Sequence, residues 1–260
     1  MKLYYQLACI DAAQQWQQRL AQAGQALEMV EIDQPFAARW LRHHPIMALL
    51  CDEHGLWLAA DGMRMQPDWI GQLPRLKRAS IKQELAARAC QVDQAPHLID
   101  ATAGLGHDGL LLAWLGAHVT LVERHPVLWA LLQASLEQAR QHTEMVAVCA
   151  RIQIVHAEST DYLTEHQADV VYLDPMFPVV ESARNKVALV KKDMQLLHRL
   201  LHADGVDLGE QLLPLAQHAA KRVVVKRPRH APALANQTPH HQWMGDACRF
   251  DAYFAAQAAQ

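Results

Sequence analysis

The 260-residue sequence lacks the features of several large classes of protein. It has no apolar run of about 18 residues, the length that a membrane-spanning helix needs. Its N-terminus lacks the charged start and apolar centre of a secretory signal peptide. Basic residues are not in excess, since 24 Lys and Arg stand against 27 Asp and Glu, for a net charge of −3. This balance excludes a global positive field, so any surface that binds nucleic acid must be local.

Disulfide and metal-binding patterns are also missing. The five cysteines, at positions 9, 51, 90, 149 and 248, form no Cys-x-x-Cys pair. The sixteen histidines show no His-Glu-x-x-His motif and no repeated ligand spacing. We therefore expect free thiols in a reducing cytoplasm, no metal site and no required protein partner. The absences together predict a soluble cytoplasmic protein, and the hydrophobic content of 51% is enough for a sizeable core.

The clearest pattern that is present runs from residue 97 to residue 125. A short apolar run breaks into a glycine-rich turn, and apolar residues then resume at helical spacing through Trp114. A second apolar run ends on Glu123. The pattern predicts a strand, a tight turn, a helix and a second strand with a carboxylate at its end. The glycines of the turn are Gly104, Gly106 and Gly109.

The chemistry of this unit favours an adenosine-containing cofactor. Glycines allow positive φ and close approach of the backbone to a ligand, and the first N–H groups of the following helix are unpaired. A carboxylate at the tip of the second strand can accept both hydroxyls of a ribose, a role that we assign to Glu123. Asp100, Gly104 and Gly106 are expected close to the cofactor. Because Gly-x-Gly-x-x-Gly also marks dinucleotide sites, S-adenosylmethionine and a nicotinamide dinucleotide both stay open at this point.

The rest of the chain predicts an α/β fold. Helix patterns alternate with strand patterns from residue 79 onwards, which is typical of a doubly wound, mostly parallel, Rossmann-like sheet. The earlier part predicts a small α+β N-terminal domain with a linker over residues 1–78, ahead of the cofactor-binding domain over residues 79–260. Ligands of such sheets bind beyond the carboxyl ends of the strands. We therefore expect Gly104, Glu123, Ser159 and Asp174 to meet in one crevice.

A second motif follows the strand expected at residues 170–173. Asp174, Pro175, Met176 and Phe177 match the pattern of Asp, Asn or Ser, then Pro, any residue and an aromatic, which marks methyltransferases that act on exocyclic amines. The amine of a nucleobase is a weak nucleophile, because its lone pair is delocalised into the ring. The Asp174 carboxylate and the Pro175 carbonyl can accept its two hydrogens. Phe177 can stack on the base, for roughly 1–3 kcal/mol.

The motif makes S-adenosylmethionine the favoured cofactor and assigns catalysis to Asp174, Pro175 and Phe177. No metal is needed, because most of the rate is expected from holding two reactants in line. A nicotinamide-dependent oxidoreductase and a non-catalytic RNA-binding module are the alternatives from other classes. The motif does not name the base, so an adenine N6 amine stays open beside a guanine amine.

Five segments in the same order resemble the ribosomal RNA small subunit methyltransferase J family. They are DATAGLGHD, LVERHPVLWALL, VVYLDPMFP, ALVKKDM and KRVVVKRP, within residues 98–255. The resemblance implies a class I methyltransferase sheet and methyl transfer from S-adenosylmethionine to the N2 amine of a guanosine in 16S rRNA. It also implies a cofactor site lined by His107, Asp108, Glu123, Arg124, Glu158, Ser159 and Asp174.

Two basic clusters are candidate contacts for the phosphates of 16S rRNA or of the small ribosomal subunit. One is the pair Lys191 and Lys192, and the other is the pair Lys226 and Arg227. Positive side chains bind the nucleic-acid backbone and position it, although they carry no base specificity. Their affinity for RNA should fall steeply with salt.

Overall fold

The computed structural model describes residues 1–44, 46–175, 192–201 and 209–255. Its strands form a five-stranded and a seven-stranded sheet. The chain divides into two compact units. The first unit comprises the described residues of 1–68, 125–138 and 178–206, and the second those of 69–124, 139–177 and 207–260. The boundary predicted after residue 78 stays a prediction.

Strands and helices alternate along most of the chain. The strands are β1 (Lys2–Gln6), β2 (Glu28–Ile32), β3 (Ala48–Asp52), β4 (Gly55–Ala60), β5 (Met63–Met65), β6 (His97–Asp100), β7 (His118–Glu123), β8 (Ile152–His156), β9 (Ala168–Leu173), β10 (Ala220–Pro228), β11 (His241–Met244) and β12 (Cys248–Phe254). The α-helices are α1 (Ile10–Gln22), α2 (Ala38–His43), α3 (Leu73–Leu76), α4 (Leu85–Ala89), α5 (His107–Leu115), α6 (Pro126–Ala139), α7 (Val146–Cys149), α8 (Ser159–Glu165), α9 (Lys192–Leu201) and α10 (Leu212–Ala219).

The sheet of the first unit has the strand order β2-β1-β3-β4-β5. Strand β1 runs parallel to β2 and β3, while β3, β4 and β5 form an antiparallel meander. Helix α1 buries Ala13, Trp16 and Leu20, which recur at helical spacing along one face. The segment expected to be a linker carries β5 and α3, because the apolar residues between its glycines and prolines are buried.

The sheet of the second unit has the order β11-β12-β10-β9-β6-β7-β8. The five strands from β10 to β8 are parallel, and β12 and β11 add to the β10 edge in antiparallel fashion. The central strands β9 and β10 contain runs of buried apolar residues at 170–173 and 223–225, as is typical of parallel strands that are covered on both faces. This mostly parallel α/β sheet confirms the predicted fold class.

The strand order places the predicted site at the carboxyl ends of the central strands of this sheet. The chain proceeds outwards from β6 to β7 and β8, then returns to lay β9 and β10 on the other side of β6. In open α/β sheets a ligand crevice forms where the order reverses, beyond the carboxyl ends of the strands. Here those ends belong to β6 and β9, which pair directly at Asp100 and Tyr172.

Two properties of the whole chain were also expected from composition. All five cysteines are free thiols. None of the helices in the described segments has the length and apolar character needed to cross a bilayer.

Candidate active site

The turn between β6 and α5 is built on two glycines with positive φ. Gly104 has a φ of 54° and Gly106 a φ of 69°, both in the left-handed region that favours glycine. Among the described residues, a Cβ on Gly104 would meet only the Thr102 carbonyl oxygen, at 3.9 Å, so none of their side chains crowds this position. Gly106 occupies the N-cap position of α5. The turn therefore presents bare backbone at the start of a helix, as a cofactor site requires.

Gly109 has a different purpose from the other two glycines. A Cβ there would lie 2.3 Å from the Cδ2 atom of Leu121. The missing side chain thus lets α5 pack closely on β7. Of the three glycines in the motif, two shape the turn and one serves the packing of helix on strand.

Glu123 connects the end of β7 to the glycine turn. Its side-chain oxygen Oε2 accepts a hydrogen bond from the backbone N–H of Gly104 over 3.0 Å. The residue is buried, with 7% of its surface exposed. Two of the residues that the sequence placed in one crevice are therefore in contact.

Asp100 and Thr102 link the ends of β6 and β9. The Asp100 side chain is buried and accepts a hydrogen bond from the Thr102 N–H over 3.1 Å. Burial raises the pKa of Asp100 to about 8, against the opposing effect of the Thr102 hydrogen bond. The Thr102 hydroxyl oxygen in turn accepts the backbone N–H of Asp174 over 2.6 Å. The loop after β9 is thereby fixed to the turn after β6.

The Asp174 side chain belongs to a cluster of charged groups. The ammonium of Lys226 donates to Asp174 Oδ2 over 2.9 Å and to Asp108 Oδ2 over 2.7 Å. The buried Tyr172 hydroxyl also donates to Asp108 Oδ2, over 2.8 Å. These contacts bring α5, β9 and β10 together around one catalytic candidate.

The pKa values of the two carboxyl groups that flank Lys226 are shifted in opposite directions. Burial raises the pKa of Asp174 by more than the charge of Lys226 lowers it. Burial also acts to raise the pKa of Asp108, but Lys226 and the Tyr172 hydroxyl outweigh it and hold that pKa below its ordinary value. Burial acts to lower the pKa of Lys226, but the two carboxylates together outweigh it and raise that pKa above its ordinary value.

The remaining cofactor candidates lie at the ends of β7 and β8. Ser159 begins α8, and its hydroxyl donates to the Ala101 carbonyl oxygen over 2.6 Å. Glu158 precedes it, with its side chain 55% exposed and Oε2 at 4.0 Å from Nη1 of Arg124. His107 is the first residue of α5 and is partly buried. These residues border the turn, although their contacts with a cofactor stay a prediction.

The other predicted residues lie outside the described segments, in the loop after β9, or on β10. Phe177, Lys191 and the side chain of Lys192 lie outside the described residues. Pro175 directly follows Asp174 in the loop after β9. Arg227 is buried, with 5% exposed, and its guanidinium donates twice to the Pro232 carbonyl oxygen. Its contact with RNA phosphate, like that of Lys226, stays a prediction.

Two residues of the site were missed in the sequence. Thr102 stands inside the motif DATAGLGHD, and Tyr172 inside VVYLDP, but both resemble ordinary residues of a turn and a strand. Thr102 could have been found from its place between Asp100 and Gly104, where a side-chain acceptor serves the neighbouring strand end. For Tyr172, the signal is a hydroxyl within an apolar strand, which needs a polar partner when buried.

The site suits S-adenosylmethionine by its charge and by its shape. Asp100, Asp108 and Asp174 converge, with Lys226 as the ammonium between two of them. Such an excess of acidic over basic side chains suits a ligand with a sulfonium and an amino group. The Glu123 carboxylate suits ribose hydroxyls, and the open backbone at Gly104 allows close approach.

Known proteins with related sequences share nearly the whole chain. The family model described as "Putative SAM-dependent methyltransferase" matches residues 41–255. Ribosomal RNA small subunit methyltransferase J of Acinetobacter baylyi is 55% identical over 263 residues, which cover 98% of this chain and 97% of that protein. The chain belongs to this family. The protein of the same name from Thioalkalivibrio sulfidiphilus is 42% identical and covers 80% of this chain and 84% of its own.

A solved structure agrees with this membership. The SAM-dependent methyltransferase NGO1261 from Neisseria gonorrhoeae superimposes with a TM-score of 0.72 and 29% identity, over 100% of this chain and 98% of its own. The expected enzyme class and cofactor are therefore confirmed: the chain is a methyltransferase that uses S-adenosylmethionine. The nicotinamide-dependent oxidoreductase is excluded as an alternative.

Proposed function

We propose that the chain transfers a methyl group from S-adenosylmethionine to the exocyclic N2 amine of a guanosine in 16S rRNA. The observation that carries the proposal is the 2.6 Å hydrogen bond from the Asp174 N–H to Thr102, which joins the amine-binding motif to the cofactor turn. The Acinetobacter baylyi relative, at 55% identity, is named as a small-subunit ribosomal RNA methyltransferase, which supports the same substrate here.

The residues of the site suit an amine acceptor. When bound, S-adenosylmethionine supplies a methyl group on a positively charged sulfur, open to attack by a nucleophile. The Asp174 carboxylate and the Pro175 carbonyl accept the two hydrogens of the amine, which directs the nitrogen lone pair towards the methyl group. Phe177 is proposed to stack on the base. Because the two loops are joined at Thr102, the carboxylate is held in place before the RNA arrives.

The cofactor is proposed to lie along the ends of β6, β7 and β8. Glu123 accepts the ribose hydroxyls, and the backbone of Gly104 and Gly106 approaches the amino-acid part together with Asp100. The adenine is bordered by Glu158 and Ser159. Further contacts are assigned to His107, Asp108 and Arg124.

RNA binding is proposed to draw on Lys191 and Lys192, whereas Lys226 and Arg227, the other predicted pair, have internal partners that leave them less available to RNA. Lys226 already contacts two carboxylates, and Arg227 is buried against a carbonyl oxygen. These internal bonds give both side chains a function that needs no RNA. The reaction is proposed to take place in the cytoplasm, where ribosomal RNA is found, and free thiols agree with a reducing compartment.

Methylation of ribosomal RNA from a strain that lacks this protein tests the proposal. Purified enzyme and tritiated S-adenosylmethionine are incubated with naked 16S rRNA and, separately, with assembled small subunits. Label is expected in a single guanosine, recovered as N2-methylguanosine after digestion and mass spectrometry. Label recovered as N6-methyladenosine, or no transfer to either substrate, would overturn the proposal.

A variant pair shows whether the label comes from the proposed site. Asp174→Ala is expected to lose transfer while it keeps its melting temperature and most of its affinity for S-adenosylmethionine. Asp93→Ala is the matched control, because it removes an exposed carboxylate that has no predicted role in the site. This variant should show normal transfer. Near-normal turnover of Asp174→Ala would remove this residue from the catalytic assignment.

A further inference from the structure

Lys226 was expected on the surface, but the sheet register brings it to the catalytic loop. In the parallel pair of β9 and β10, Val225 lies opposite Leu173. The next residues, Lys226 within β10 and Asp174 directly after β9, therefore lie side by side at the carboxyl end of β9. The ammonium is 2.9 Å from Asp174 Oδ2, and the lysine side chain is 28% exposed.

Four side chains are joined by three hydrogen bonds in a row, which the backbone between Tyr172 and Asp174 closes into a ring. Tyr172 donates to Asp108, Lys226 donates to both Asp108 and Asp174, and Asp174 stands two residues after Tyr172. The ring thus starts and ends at the β9 segment and passes through α5 and β10. Because Asp108 is fixed by Tyr172, it can anchor the lysine, and the anchored lysine can fix Asp174.

The two oxygens of Asp174 have different surroundings. Oδ2 accepts the Lys226 ammonium, whereas no group among the described residues is bonded to Oδ1. A carboxylate with one oxygen held and the other available suits the acceptance of a single hydrogen from an amine. Without the lysine, the side chain could rotate and its negative charge would lose its nearest counter-charge.

We propose that Lys226 is a positioning residue for methyl transfer, which holds Asp174 in a fixed orientation through an ammonium anchored on Asp108. The inference rests on the proposed role of Asp174 as acceptor of the amine hydrogen. It differs from a contact with RNA phosphate, because an ammonium that already bridges two carboxylates has little charge to offer a third anion. It also differs from a purely structural bridge, which would affect folding rather than turnover.

The kinetic consequences separate these roles. Lys226→Met keeps the length and apolar stem of the side chain but removes the ammonium. The turnover number on 16S rRNA is expected to fall at least about tenfold, as for misplaced catalytic groups. The Michaelis constant for RNA and the affinity for S-adenosylmethionine should stay within about threefold, because neither ligand is bound by the ammonium. Lys226→Arg, which keeps the cation, should retain most of the turnover.

Controls make each result decisive. Lys221→Met removes an exposed lysine from the same strand and should leave turnover unchanged. A Lys226→Met variant with normal turnover, a loss confined to the Michaelis constant for RNA, or equal losses in the Met and Arg variants would overturn the positioning role. Should Lys226→Met not fold, Asp108→Asn weakens the anchor instead, and normal turnover in that variant would also overturn it.

The same experiment distinguishes failure of this inference from failure of the proposed function. If the wild-type protein methylates no small-subunit rRNA, the proposed substrate is wrong. If the wild type is active and the Lys226 variants are not impaired in turnover, only the positioning role is wrong.

Discussion

The hydroxyl oxygen of Thr102 accepts the backbone N–H of Asp174 over 2.6 Å, and the Thr102 N–H is itself bonded to Asp100. One small side chain therefore joins the turn that follows β6 to the loop that follows β9. The first segment carries the predicted cofactor residues and the second carries the predicted amine-binding motif. This contact fixes the two segments to each other, and in-line transfer at the proposed site would depend on their relative position.

Removal of the Thr102 hydroxyl should slow methyl transfer more than it weakens cofactor binding. Thr102→Val keeps the shape of the side chain but leaves the Asp174 N–H without its acceptor. We expect the turnover number to fall about 10- to 100-fold, since small misplacements of reacting groups have effects of this size. Steady-state kinetics with calorimetric titration of S-adenosylmethionine measures both quantities. Thr102→Ser should stay close to wild type, and equal turnover in the Val variant would contradict the role.

Replacement of Glu123 should weaken cofactor binding. Glu123→Ala removes the proposed ribose acceptor and also the acceptor of the Gly104 N–H. A loss of about 1.5–3 kcal/mol in binding free energy is expected, as for hydrogen bonds that involve a charged group. Calorimetric titration with S-adenosylmethionine measures it. Glu123→Gln keeps one acceptor and should lose less, while unchanged affinity in the Ala variant would refute the assignment.

The stability of the cofactor-free protein should fall as the pH rises towards about 8. Burial raises the pKa of Asp100 to about 8 from an ordinary value of 3.8, so the folded state binds this proton more tightly than the unfolded state. The stabilisation is complete below the ordinary value and is lost as the pH passes the folded value. Asp174 is shifted in the same direction, whereas Asp108 is lowered and titrates below this range.

Melting temperatures between about pH 5 and pH 9 measure this effect. The wild type should lose stability across the range, and Asp100→Asn, which cannot titrate at this position, should show a flatter profile. Parallel profiles for the two proteins would show that Asp100 is ionised in the fold at neutral pH.

Gly109→Ala should destabilise the fold by crowding. The added methyl carbon would lie 2.3 Å from Leu121 Cδ2, and overpacking of this kind costs about 1–3 kcal/mol. Alanine favours helices over glycine, so a net loss can come only from the contact. Urea denaturation gives the change in the free energy of unfolding. Combined with Leu121→Ala, which removes the crowding atom, the two losses should not add; additive losses would exclude the contact.

Most of the fold was predictable because its signals are local. The strand, turn, helix and strand of residues 97–123 followed from apolar spacing and glycines, and the structure places β6, α5 and β7 there. The segment before residue 78 was less clear. Its glycines and prolines suggested a linker, whereas buried Met65, Trp69 and Leu73 make it part of the packed structure. Glycine and proline mark turns, but they do not show which residues between the turns are buried.

The site was predictable in its strand-end residues and not in their supports. Strand order and the rule of carboxyl ends brought Glu123 to the glycine turn, as expected. Lys226 was instead predicted to contact RNA phosphate, and only the register of β9 with β10 shows the carboxylates beside it. Partners that are distant in the chain cannot be read from composition or spacing alone.

The ring of Tyr172, Asp108, Lys226 and Asp174 also has a meaning for divergence within the family. A substitution at one of the four leaves a neighbour with an unpaired hydrogen-bond donor or an unpaired charge. The free-energy cost of a second substitution in the ring is therefore smaller once the first has been made. We therefore expect the four positions to change together, so that a lineage that replaces one of them replaces its companions as well.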